Sequence, residues 1–150
     1  MIYVNLKIKR WRNKMSTSER DQMRKVFFES WRKHQLKLPL ETLEAQLVDI
    51  ILLHPELQPM FNQPENFQSQ DFGESNPFLH LGLHMALREQ IATNRPQGIK
   101  KIYAELCAKC NDVHTAEHRM MDCLAEVLWQ TQVNNKMTDE QSYLEMLVRL

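Results

Sequence analysis

The feature that most constrains the fold is the helical spacing of apolar residues, which is interrupted at intervals by residues that end or begin helices. Apolar residues recur every three or four positions from Ser18 onward, as in helices that bury one face. Pro55 stops one such segment, and Asn76-Pro77 starts the next with a favoured cap and a first-turn proline. Only 3 glycines occur in 150 residues, although β-rich folds use glycine at many turns. The pattern predicts an all-α, up-down bundle of about six helices at roughly 18–34, 40–54, 77–94, 96–110, 112–133 and 138–149, with 55–76 as one long irregular connection.

The first fourteen residues differ from the rest of the chain. Residues 1–14 carry five basic side chains and no acidic one, so the net charge of zero hides an acidic remainder. This segment is either a basic arm for an acidic partner or an extension upstream of a start at Met15. We favour the extension, because its lone strand-like alternation has no second strand to pair with. We expect residues 15–150 to form a single helical domain.

Composition excludes several classes of protein. No apolar run is long enough to span a membrane, and the first ten residues do not resemble a secretory signal. Three cysteines without an export signal favour the cytoplasm and no disulfide framework. The acidic body gives no reason to expect nucleic acid or anionic membrane as a partner. A small-molecule ligand and a homo-oligomer both stay open.

The six histidines carry the functional signal. Four of them form two HxxxH pairs, His80/His84 and His114/His118. Chance placement of six histidines would give only about 0.2 such pairs. Spacing of four residues puts both imidazoles on one helix face, one turn apart, as metal ligands often are.

Helical projection places both histidine pairs on the apolar stripes of their helices rather than on the solvent-exposed faces. Short connections around 95–96 and at 111 make the helices that begin near 77 and 112 parallel, so the two pairs fall at the same level. His54 ends its own helix near that level, and Asp122 lies on the edge of the second stripe, one turn beyond His118. Glu126 is a candidate to support the ligands. Glu89 points to the opposite side of its helix, and His34 belongs at the far end of the bundle, so both are left out. The predicted metal ligands are therefore His54, His80, His84, His114, His118 and Asp122.

Two other interpretations compete with this metal site. The histidines could form a buried hydrogen-bonded or pH-responsive network without metal. Alternatively, Cys107 and Cys110 with His114 and His118 could form a tetrahedral zinc site, although a turn would have to bend at residues 111–112. A ligand set rich in nitrogen favours a transition metal and disfavours magnesium and calcium. Among the transition metals, we expect iron or zinc before nickel or copper.

Three stretches resemble a known family. Residues 76–90 (NPFLHLGLHMALREQ), 116–126 (AEHRMMDCLAE) and 27–31 (FFESW) are similar to a family of small bacterial proteins of unknown function, over about 18–150. This resemblance implies a bacterial cytoplasmic protein and assigns no activity. The ligand types also resemble hemerythrin-type and DinB-type metal-binding bundles, but only at the level of architecture.

The sequence therefore predicts a helical bundle that binds one or two transition-metal ions through its HxxxH pairs. The alternative is a non-catalytic interaction or structural protein with a buried histidine network. Whether the protein is an enzyme stays open.

Overall fold

The computed structural model describes residues 17–67, 72, 76–135 and 139–150, and within them it is all-helical, with no strand. The six predicted helices are present with shifted ends. They are α1 (Thr17–Gln35), α2 (Thr42–Leu52), α5 (Pro77–Thr93), α6 (Ile99–Cys110), α7 (Val113–Asn134) and α8 (Glu140–Val148). The all-α prediction is thus confirmed for the described residues.

The predicted count of six helices is wrong, because the supposed irregular connection 55–76 contains further turns of helix. A 3-10 helix spans Pro55–Leu57, and one-turn helices α3 (Gln58–Phe61) and α4 (Pro64–Phe67) follow it. The described residues therefore contain eight α-helices. Prolines in this region occupy first-turn positions, where a missing N–H does no harm, so they begin short helices instead of breaking them.

A second correction concerns the start of α6, predicted at Pro96 and found at Ile99. Asn94 adopts a left-handed conformation after α5, with φ of 52°. Its side-chain oxygen accepts hydrogen bonds from the backbone N–H groups of Gly98 at 3.1 Å and Lys100 at 3.2 Å. Gly98 has φ of 104°, a conformation that favours glycine. The asparagine side chain thus delays the helix by three residues.

Two predicted helix starts are confirmed by their capping bonds. The Asn76 side chain accepts from the N–H groups of Phe78 at 3.0 Å and Leu79 at 3.3 Å. The Asp112 side chain accepts from the N–H of Thr115 at 2.7 Å. Such caps satisfy donors that the first helical turn leaves without partners.

The described chain divides into two compact units, and the division falls inside α5, between Leu81 and Gly82. In the N-terminal unit α1 packs against α2 and α3. Its core is rich in aromatic rings: Phe28 lies 5.4 Å from Phe61 and 5.7 Å from Phe78, measured between ring centroids. The Trp31 indole N–H donates to Asn62 Oδ1 at 2.9 Å, which joins α1 to the end of α3.

In the C-terminal unit α6, α7 and α8 pack against one another. Leu87, Leu106, Met120 and Leu147 are among its fully or almost fully buried side chains. The hydroxyl of Tyr143 donates to Gln90 Oε1 at 2.9 Å, so α8 is tied to the second half of α5. These contacts hold α5 and α7 in position for the candidate site.

No helix in the described ranges has the length and apolarity needed to cross a bilayer. Residues 1–14, predicted to be a basic extension, lie outside the described residues. The predictions of one domain over 15–150 and of an up-down bundle stay predictions.

Candidate metal centre

The candidate site in the C-terminal unit is built from one histidine of α5 and two of α7. His84 is fully buried, and His114 and His118 are half-buried. One ring nitrogen from each of the three lies within 4.8 Å of the others. The structure thus brings the HxxxH pair of α7 together with one histidine of α5, and the group could hold a metal ion.

The distances suit coordination of a single ion. The Nε2 atoms of His84 and His118 are 3.0 Å apart. Two nitrogens bound to tetrahedral zinc at 2.0–2.1 Å would lie about 3.3 Å apart. The ring of His114 is 4.1 Å from that of His118 and 5.3 Å from that of His84, between centroids. Small side-chain rotations would therefore bring all three rings to one ion.

Glu117 orients the buried ring of His84. This carboxylate is only 3% exposed, and its Oε2 lies 3.2 Å from His84 Nδ1. Because a carboxylate only accepts hydrogen bonds, Nδ1 carries the hydrogen. In the neutral ring, Nε2 then has the lone pair and accepts from His118 Nε2–H. A ligating histidine commonly has the same arrangement, with its second nitrogen held by a carboxylate.

Glu117 stays ionised because of its neighbours. Burial raises the pKa of Glu117, but hydrogen bonds from His84 and Arg88 and the charge of Arg88 outweigh it, so this pKa lies below its usual range. Arg88 Nη2 is 3.1 Å from Oε2, and Arg88 Nε is 3.2 Å from Oε1. The Tyr103 hydroxyl donates to Oε1 at 3.4 Å. Burial, together with the charge of Glu117, raises the pKa of Tyr103, which keeps the phenol a donor.

Sequence reasoning missed Glu117 and chose Glu126 as the supporting acid. Glu126 lies eight residues beyond His118 on α7, about 12 Å along the helix axis, and accepts from Gln130 Nε2 at 2.9 Å. A signal for Glu117 was present: it lies three residues after His114, on the same side of the helix, and Arg88 follows His84 by one turn. Glu117 and Arg88, an acidic and a basic residue at the same level of two predicted helices, indicate a buried ion pair.

The other half of the α5 pair, His80, lies in the N-terminal unit with His54. Their Nε2 atoms are 2.9 Å apart, and His54 is 1% exposed. His54 Nδ1 donates to the backbone oxygen of Ile50 at 2.8 Å, so its Nε2 accepts from His80. Within each unit, then, a buried histidine with a fixed Nδ1–H presents Nε2 to a second imidazole.

The remaining predicted ligands lie outside the three-histidine group of the C-terminal unit. Asp122 is exposed on α7, and its role as a ligand stays a prediction. Cys107 and Cys110 are half-buried free thiols at the end of α6, and neither belongs to the group. His34 belongs to the N-terminal unit and lies beside Trp31, 5.3 Å between ring centroids.

Over the described residues, fold and site together define an all-helical chain with a largely buried histidine group that could hold a metal ion. A family model described as "Domain of unknown function (DUF1841)" matches residues 19–149, and the chain belongs to this family. The family resemblance seen in the sequence is thereby confirmed. No curated protein and no solved structure gave a significant match.

Proposed function

We propose that this protein binds a transition-metal ion through His84, His114 and His118. The observation that carries the proposal is that one nitrogen of each ring lies within 4.8 Å of the others in a largely buried site. Three imidazoles packed together without an ion must each satisfy a donor and an acceptor, whereas one ion uses three lone pairs at once.

The donor set favours zinc or iron(II). Imidazole nitrogen is a ligand of intermediate softness that suits zinc, iron, nickel and copper, while magnesium and calcium prefer oxygen. Glu117 is engaged by Arg88 and by His84, so its oxygens are already used. Within the three-histidine group, the ion would therefore have only nitrogen ligands.

Metal analysis of protein purified without a histidine tag tests the proposal. After incubation with zinc or iron(II) and removal of excess metal, we expect about one ion per chain, and uptake below about 0.2 per chain would refute binding. His84→Ala/His118→Ala should abolish uptake. His34→Ala is the matched control, because this histidine lies beside Trp31 and should leave uptake unchanged.

A hydrogen-bonded histidine network is the second candidate. It is favoured by the chain of bonds from His118 through His84 to Glu117, which needs no ion. Under this alternative the double variant loses stability but the wild-type protein takes up no metal. Release of metal by Cys107→Ser, with retention in the double variant, would instead support the cysteine–histidine site.

A further inference from the structure

We propose that Glu117 is a positioning residue that directs the Nε2 atom of His84 toward the metal ion. This inference rests on the proposed function, since it concerns the same site. Its basis is the 3.2 Å contact between Glu117 Oε2 and His84 Nδ1, made where both side chains are almost wholly buried. A carboxylate accepts but never donates, so it selects one of the two tautomers of the ring.

Glu117 is held by contacts on both of its oxygens. Arg88 reaches Oε1 and Oε2 through two nitrogens at 3.1–3.3 Å, and Tyr103 adds a third donor group at 3.4 Å. A forked guanidinium contact fixes the plane of the carboxylate as well as its position. The side chain therefore has little freedom to turn away from His84.

The same contacts argue that Glu117 supports a ligand without being one. Nδ1 and Nε2 lie on different edges of the imidazole ring, and Glu117 contacts the Nδ1 edge. The Nε2 edge faces His118, where the ion would lie. Reaching the ion would require Glu117 to break its contacts with Arg88 in a buried environment, which is unfavourable for a charged group.

The carboxylate should also strengthen the bond to the metal. A negative charge beside Nδ1–H makes the ring a better electron donor at Nε2. Loss of such a supporting partner typically weakens metal binding 10–100-fold. We therefore expect Glu117→Gln, which keeps the size and removes the charge, to weaken zinc binding by about 10–100-fold.

The matched control is Glu126→Gln, because Glu126 lies on the same helix and is also largely buried. Glu126 accepts from Gln130 Nε2 at 2.9 Å and lies about 12 Å beyond His118 along the helix axis, so its loss should leave the zinc dissociation constant within about twofold. Zinc affinity is measured by competition with a chromophoric chelator. Thermal unfolding of each variant shows whether the fold is retained.

Nitrogen-15 NMR of the histidine rings supplies a readout that a purely structural role would not change. In the metal-free wild type, His84 should carry its hydrogen on Nδ1, and zinc should shift the Nε2 resonance. In Glu117→Gln the Nε2–H tautomer should gain population, because an amide can also donate to Nδ1.

Equal zinc affinity in wild type and Glu117→Gln, or a His84 ring protonated on Nε2 in the wild type, would overturn the inference. Equal weakening in Glu117→Gln and Glu126→Gln would do the same, since it would report general damage to α7. If the wild type takes up no zinc, the proposed function fails instead, and the NMR spectrum still decides whether Glu117 orients His84.

Discussion

Replacing Arg88 by alanine should destabilise the protein strongly, because it leaves Glu117 buried without its cationic partner. Glu117 is 3% exposed, whereas the Arg88 side chain is 32% exposed. Removing one partner of a fully buried ion pair costs about 3–5 kcal/mol. Glu117 keeps its contacts with His84 and Tyr103, and Arg88 is partly solvated, so we expect about 2–3 kcal/mol.

The effect should depend on pH in a defined direction. In the wild type the folded-state pKa of Glu117 lies below its usual value of 4.5. Its ionised form therefore stabilises the fold above that pH, and this contribution is lost as pH falls through the folded-state pKa. Without Arg88 the effect of burial is less opposed, and Glu117 takes up a proton more easily. The stability difference between wild type and Arg88→Ala should therefore be largest near neutral pH and shrink as the acid is protonated.

Urea unfolding followed by circular dichroism measures this difference. Arg32→Ala is the matched control, since Arg32 pairs with Glu29 through an exposed contact at 2.6 Å and such pairs contribute little. Equal unfolding midpoints for Arg88→Ala and wild type at neutral pH would refute the reasoning. So would a difference that grows as pH falls.

Further substitutions test the fold. Leu87→Ala should cost about 2–5 kcal/mol in urea unfolding because Leu87 is fully buried, whereas Leu43→Ala at a 52% exposed position should change stability by less than about 0.5 kcal/mol; similar losses would contradict the assigned core. Gly82→Ala should stabilise by about 0.5–1 kcal/mol, because it lies inside α5 and no described atom comes within 4 Å of the added Cβ. Gly98→Ala should destabilise by about 1–2 kcal/mol because of its positive φ, and equal signs for the two glycines would contradict the backbone geometry. Asp112→Ala should lower the melting temperature and Asp112→Asn should largely restore it, since asparagine also caps helices; no loss in the alanine variant would show that the cap at Thr115 is unimportant.

The six longer helices could be predicted from the sequence because their signals are local. The Asn76 and Asp112 caps and the apolar spacing act within one or two turns, so they can be recognised without the fold. The short helices within residues 55–76 were not predicted, because proline at a first turn and proline in a loop look alike in sequence. The helix Gln58–Phe61 depends on tertiary packing, because its residues Met60 and Phe61 are buried.

The site was predictable in part for a related reason. Spacing alone places His114 and His118 on one face of α7, because helix geometry fixes that relation, and the short connections before and after α6 predict that they lie level with His84. The role of Glu117 depends on which face of α7 meets Arg88 of α5, a contact 29 residues apart in sequence. Tertiary contacts of this kind are not contained in the period of either helix.

X-ray absorption spectroscopy of the zinc-loaded protein tests the central claim most directly. We predict a first shell dominated by nitrogen at about 2.0–2.1 Å, with the outer-shell pattern of at least three imidazole rings. The His84→Ala/His118→Ala variant should give no such signal after removal of excess zinc. A sulfur shell at about 2.3 Å, or a shell without imidazole, would contradict the assignment of His84, His114 and His118 as ligands.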